Sequence, residues 1–134
     1  MENGIPQKGA VKILISGNRP IQDVLNDDPQ LAGLDGRPFD LTQNIPASVI
    51  PVISEHFSYF LSFKANGEIN EGQYERLKKL VEDTHSQDKI LRLWGTPDNE
   101  GVWRFLLDNG LDLINVDHIK EFREFVLEYD PSSK

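Results

Sequence analysis

The chain reads as an α/β protein, a parallel sheet made of about four strand-then-helix units and too few to close a barrel alone. Three observations predict this. Short runs rich in β-branched residues and leucine alternate with segments of helical spacing. Gly, Pro, Asn or Asp bound most of these runs, as punctuation between elements requires. Finally, 134 residues give room for one domain with a single core, placed here over residues 11–129.

The first ten residues hold no apolar stretch of useful length and are expected to be a flexible segment. Val11 to Ile15 is the first strand, left through Ser16-Gly17-Asn18-Arg19-Pro20. Pro20 suits the first position of a helix, in which Ile21, Val24 and Leu25 recur at helical spacing. A weaker strand is expected at Leu31 to Leu34, running into Asp35-Gly36-Arg37-Pro38, with one helical turn at Phe39 to Gln43. Val49 to Ile53 is the next strand, made irregular by Pro51, which lacks a ladder donor. Aromatic residues Phe57, Tyr59, Phe60 and Phe63 crowd behind it, and Asn66-Gly67 marks a turn.

The clearest helix begins at Asn70, where Asn70 and Gln73 fit a capping box. Tyr74, Leu77, Leu80, Val81 and Thr84 share one of its faces. Ile90 to Trp94 is the best strand. Thr96 as cap and Pro97 as first residue predict the helix that follows, stopped at Gly110. Leu111 to Val116 is the last strand. Asp117 is expected to cap a final helix with the stripe Ile119, Phe122, Val126 and Tyr129, ahead of a frayed tail at 130–134.

Composition narrows the function classes. Against 14 Lys plus Arg stand 22 Asp plus Glu, a formal charge of −8. That argues against nonspecific nucleic-acid binding, which needs a basic face to displace counterions, and against a basic membrane-surface patch. Without cysteine there is no disulfide, thiolate metal site or Cys nucleophile. No segment reads as a signal peptide or a membrane span, so the chain as it stands is expected to stay where it is made.

Alternation sorts each strand into two faces. Val11, Ile13 and Ile15 oppose Lys12, Leu14 and Ser16; Leu91 and Leu93 oppose Ile90, Arg92 and Trp94; Asp112 and Ile114 oppose Leu113, Asn115 and Asp117. Helices are expected over the apolar sides. The other side carries Lys12 and Arg92, which fit poorly in an open doubly wound sheet with two apolar faces. A barrel interior, where acids from strands across the way can meet them, suits them better. Polar residues also gather where strands end: Ser16, Asn18 and Arg19; Asp35 and Arg37; Ser54 and Glu55; Trp94 and Asp98; Asn115 and Asp117. In parallel α/β folds that edge binds ligands, although turn chemistry favours Asp, Asn and Ser there in any case.

Leu91-Arg92-Leu93-Trp94-Gly95-Thr96-Pro97-Asp98, then Trp103 and Leu106-Leu107, then Gly110 to Asp117, resemble the last two strand–helix units of the glycerophosphodiester phosphodiesterase and phosphatidylinositol-phospholipase-C-like superfamily. Ile15 to Pro20, Asp35 to Pro38 and Ile53-Ser54 resemble earlier strand ends in a bacterial branch of it. The resemblance spans Val11 to Val126, and its final third is the specific part. It implies the C-terminal half of a (β/α)₈ barrel, roughly strands five to eight. It implies a hydrolase of phosphodiesters in lipid metabolism, using two histidines for acid–base chemistry and, in many members, a divalent cation such as calcium or magnesium. The His-Arg-Gly and Glu-x-Asp motifs that supply those groups do not occur here, and His56, His85 and His118 do not match the catalytic positions. The chain is then expected to be inactive alone.

On this reading Ser16, Asn18, Arg19, Asp35, Arg37, Ser54, Trp94, Asp98, Asn115 and Asp117 contribute to a pocket for a phosphodiester or polyol phosphate. Arg19 is the first choice for a phosphate contact because its guanidinium forks onto two oxygens. Trp94 walls the polyol, and Asn115 and Asp117 orient a hydroxyl or a water. The protein partner is the missing half-barrel or a second copy, covering open strand edges. Parent proteins of this type are often exported. An alternative is a noncatalytic module that binds a phosphate or polyol ligand. A third reading takes His56 and His118, beside Glu55 and Asp117, as a metal site. His85, at a helix end, reads as a solvated residue near the negative pole of the helix dipole.

Overall fold

The computed structural model describes residues 9–62 and 69–130. Most of the expected N-terminal segment, most of the tail, Phe63 and the Asn66-Gly67 turn lie outside them.

Five strands form one parallel sheet in sequential order: β1 (Leu14–Ile15), β2 (Gly33–Gly36), β3 (Val52–His56), β4 (Ile90–Trp94) and β5 (Leu113–Ile114). Between and after them run α1 (Ile21–Asn26), a 3₁₀ segment Pro38–Gln43, α2 (Phe57–Phe60), α3 (Glu71–His85), α4 (Glu100–Asp108) and α5 (Ile119–Glu128). The α/β class with a parallel sheet is therefore present. The weak second strand, expected at Leu31 to Leu34, lies instead at Gly33–Gly36 with Leu31 exposed before it, and pairs with both neighbours, so the units number five rather than four.

Ile15 pairs with Leu34, Gly36 with Ile53, Ile53 with Leu91, and Leu93 with Ile114, so these residues share one face. Leu34, Ile53, Leu91 and Leu93 are fully buried there. They form a single cluster with Val24 of α1, Phe57 of α2, Leu77 and Leu80 of α3, and Val102 and Leu106 of α4. Burying each such side chain contributes about 1.5–3 kcal/mol, which makes this face the source of the fold's cohesion. Gly36 lets β2 and β3 close: a Cβ there would stand 2.4 Å from Ile50 Cγ2 and 2.8 Å from the Val52 carbonyl. Among the described residues no helix is long and apolar enough to cross a membrane.

Several expectations need correction. Val11 and Ile13 are exposed, because only Leu14 and Ile15 pair with β2. The third strand starts beyond Pro51: with no N–H to give, proline cannot join the ladder as a donor, although its carbonyl accepts from Ile90. Asn70 does cap α3, its side chain accepting from Gly72 N at 2.9 Å. Gln73 does not close the box; its amide donates to the Ser62 hydroxyl at 3.0 Å instead. On α3, Leu77, Leu80 and Thr84 are buried as expected, whereas Tyr74 is exposed. The helix after β4 begins not at Thr96-Pro97 but after Asn99, whose side chain accepts from Val102 N at 3.1 Å. Asp117 does not cap α5. The buried residue of that helix is Phe125, which packs with half-buried Phe122 against Trp103 and meets the half-buried Tyr129 ring, while Ile119 and Val126 face outward. His85 is not simply solvated: its Nε2 lies 2.8 Å from an Asp112 carboxylate oxygen that also accepts from Leu91 N.

Candidate functional site

The sheet's other face carries the chemistry. Ser54 pairs with Arg92, His56 with Trp94, and Arg92 with Leu113, so Ser54, His56, Arg92, Trp94 and Asn115 lie on one side of the sheet. Continuing the β1–β2 register by one residue places Ser16 beside Asp35 on the same side. The buried residues of the helices cluster with the opposite face, which leaves Trp94, Ile90 and Leu113 of this one exposed.

Two carboxylates organise its C-terminal edge. Asp35 at the end of β2 accepts from the Ser16 hydroxyl at 3.0 Å and from the buried Ser54 hydroxyl, so it ties β1, β2 and β3 together. Arg37 Nη1 stands 3.3 Å from the same carboxylate and donates to the Gly36 carbonyl at 3.0 Å. Arg19 is held by Asp40, a buried residue of the 3₁₀ segment that also accepts from Arg37 N at 2.7 Å, and by the Asp35 carbonyl. Sequence reading missed Asp40, since only the fold brings it to Arg19.

Asp98 does the same for the β4 and β5 ends. One oxygen accepts from Asp117 N at 2.9 Å and His118 N at 2.7 Å, and the other accepts from Trp103 Nε1 at 2.9 Å. His118 Nδ1 lies 2.8 Å away. Burial pushes the Asp98 carboxyl up, but the His118 and Asp117 amides, the Trp103 indole and the His118 charge outweigh it and hold it below its ordinary value. Thr96 adds a second tie, its hydroxyl donating to the Asn115 carbonyl at 2.7 Å. A small polar cleft lies between these loops, lined by Gly95, Thr96, Asp98, Asn115, Val116 and Asp117.

His56 stands at the end of β3. Ser58 N–H donates to its Nδ1 at 3.1 Å and the Ser58 hydroxyl lies 2.8 Å from it, so the neutral ring carries its proton on Nε2. The ring meets the Trp94 ring edge-on at 4.4 Å between centroids. Gly95, with φ of +67°, lies beneath it; a Cβ there would stand 2.5 Å from His56 Nε2. The superfamily resemblance gives His56 no role, and the sequence offered it only as half of a metal site with His118. The signal available was its parity with Ser54.

Thus Ser16, Asp35, Arg37, Arg19 and Ser54 come together, while Trp94 ends β4 and Asn115 directly follows the neighbouring β5. Asp98 and Asp117 lie in the loops beyond, joined through a backbone amide. Asn18 is exposed in the loop after β1. Glu55 accepts from His56 N at 2.7 Å. Among the described residues no three His, Asp or Glu side chains gather closely enough to hold a metal ion, so His56, His118, Glu55 and Asp117 do not form one site. Asp35 is already engaged by two hydroxyls and a guanidinium. The described residues do not fit a divalent cation.

Over an alignment 57 positions long that covers 39% of this chain, the sequence is 35% identical to Altered inheritance of mitochondria protein 6 of Eremothecium gossypii. The matched stretch covers 15% of that protein's length. No family model matches the chain, and no solved structure matches it.

Proposed function

We propose that this chain is an arc of a (β/α)₈ barrel of the phosphodiesterase-like type, supplying pocket residues for a glycerophosphodiester or phosphoinositide-type substrate. One observation carries the reading: a parallel sheet in sequential order, with its helices on one face and Ser16, Asp35, Ser54, His56, Arg92, Trp94 and Asn115 on the other. A doubly wound sheet reverses its strand order at a switch point and covers both faces. A barrel strand keeps the order and turns its second face inward, with ligands at the C-terminal edge.

In this reading the chain's own residues bind and orient. Asp35 fixes Ser16, Ser54 and Arg37 in one constellation, and Trp94 offers an apolar wall beside the His56 ring. Proton transfer falls to histidines on strands that have no counterpart here, and the completing strands also cover the exposed apolar residues of the open face.

The test is co-expression of this chain with the first three strand–helix units of a glycerophosphodiester phosphodiesterase, which with the five here make eight, followed by assay of glycerol phosphate release. The expected result is co-purification and release by the pair but not by the chain alone. Turnover by the isolated chain would defeat the proposal. So would a well-folded monomer that ignores the complementing half, an outcome that favours a noncatalytic phosphate- or polyol-binding module.

A further inference from the structure

The described basic residues of the strand-end edge differ in what already neutralises them. Arg19 is held by Asp40 and Arg37 by Asp35. Arg92 is different: its Nε donates to the neutral amide oxygen of Asn115 at 2.9 Å, and among the described residues no carboxylate pairs with it. In register Arg92 faces Leu113, yet its bond goes to Asn115, two residues further along. The guanidinium therefore leans toward the C-terminal edge and not toward the middle of the sheet. It is half-buried, so an anion meeting it is only partly screened.

Its surroundings suit a phosphate ester. Ser54 faces it across β3, and Trp94 presents exposed ring surface two residues on along the same strand. Asn115 fixes Nε, which orients the Nη groups as a fork without cancelling the charge. In a chain of net charge −8, an arginine without a carboxylate at the ligand edge is where an anion gains most.

We propose that Arg92, oriented by Asn115 and flanked by Trp94, is the phosphate-binding residue of this face, taking the oxygens of a phosphate ester in place of Arg19. The proposal deepens the barrel-arc reading and rests on it for the identity of the ester, but binding of the anion itself requires no turnover.

The probe is inorganic phosphate, titrated into the full chain while arginine Nε–H and tryptophan Nε1–H resonances are followed by NMR. The Arg92 Nε and Trp94 indole signals are expected to shift saturably together, with those of Arg19 and Trp103 still. Arg92→Gln is expected to weaken binding about tenfold or more. Arg92→Lys keeps the charge without the fork and falls between the two. Amide spectra of both variants check that the fold is intact. Saturable binding that survives Arg92→Gln, shifts centred on Arg19, or no binding at millimolar phosphate by the folded chain would each overturn the assignment. Phosphate binding at Arg92 with no hydrolysis by the complemented pair would leave this site standing while the phosphodiesterase reading falls.

Discussion

Leu91 and Leu93 have no exposed surface, while Arg92 and Trp94, their alternating neighbours on β4, are half-buried and exposed. The same comparison holds across the sheet: Leu34 and Ile53 lie in the helix-covered core, and Asp35 and Ser54 stand on the open face beside them. One face is held by apolar burial, which is nondirectional and large. The other is held by directed hydrogen bonds among hydroxyls, carboxylates and guanidinium groups, each contributing little net stability but fixing orientation. Stability and recognition are thus assigned to alternate residues of the same strands.

The sharpest way to break this comparison is to truncate each face in turn. Leu93→Ala is expected to cost about 2–5 kcal/mol, read as a lower urea midpoint, because its cavity opens in the middle of the core. Gly36→Ala probes the same side by overfilling it; a methyl group against Ile50 and the Val52 carbonyl is expected to cost about 1–3 kcal/mol. Asp98→Asn comes next, at about 1–2 kcal/mol, since an amide cannot serve two backbone donors, an indole and an imidazole equally well.

Because the Asp98 carboxyl is held below its unfolded value of about 3.9, its contribution is fully present above that pH. It is lost as pH falls through the lower folded value. Thermal unfolding of wild type and Asp98→Asn between pH 7 and pH 2.5 should therefore converge toward the acid end. The smallest effect belongs to the open face: Arg92→Gln is expected to leave stability within about 0.5 kcal/mol. A large loss there would mean that the open face carries structural weight, and the contrast between the faces would fail.

Much of the fold was legible in the sequence because its signals are local. Ile90 to Trp94 is a short apolar run bounded on both sides, and β4 has those limits. Asn70 opens α3 and Gly110 follows the last turn of α4, as their residue types suggest. The misplaced elements are those decided by partners far along the chain. Val11 and Ile13 have strand-like side chains, but only Leu14 and Ile15 stand in register with β2, which takes no more of Ile13 than its carbonyl. Thr96 looked like a cap and instead spends its hydroxyl on the Asn115 carbonyl, leaving Asn99 to start the helix. The site was legible as a set of strand-end residues. Which arginine already has a carboxylate was not, because Asp40 meets Arg19 only through the folding of the 3₁₀ segment.

Sequential strand order has a kinetic consequence as well. Leu14 meets Gly33, Asp35 meets Val52 and Arg92 meets Leu113, so each strand docks on the one made just before it and none waits for a distant segment. Loops of this kind close at modest entropic cost, and low contact order goes with fast folding. Such a chain can assemble one strand–helix step at a time during synthesis, each new strand templating on the last free edge. The longest wait falls between Val52 and Ile90, where β4 must follow the whole of α3 before the sheet can extend.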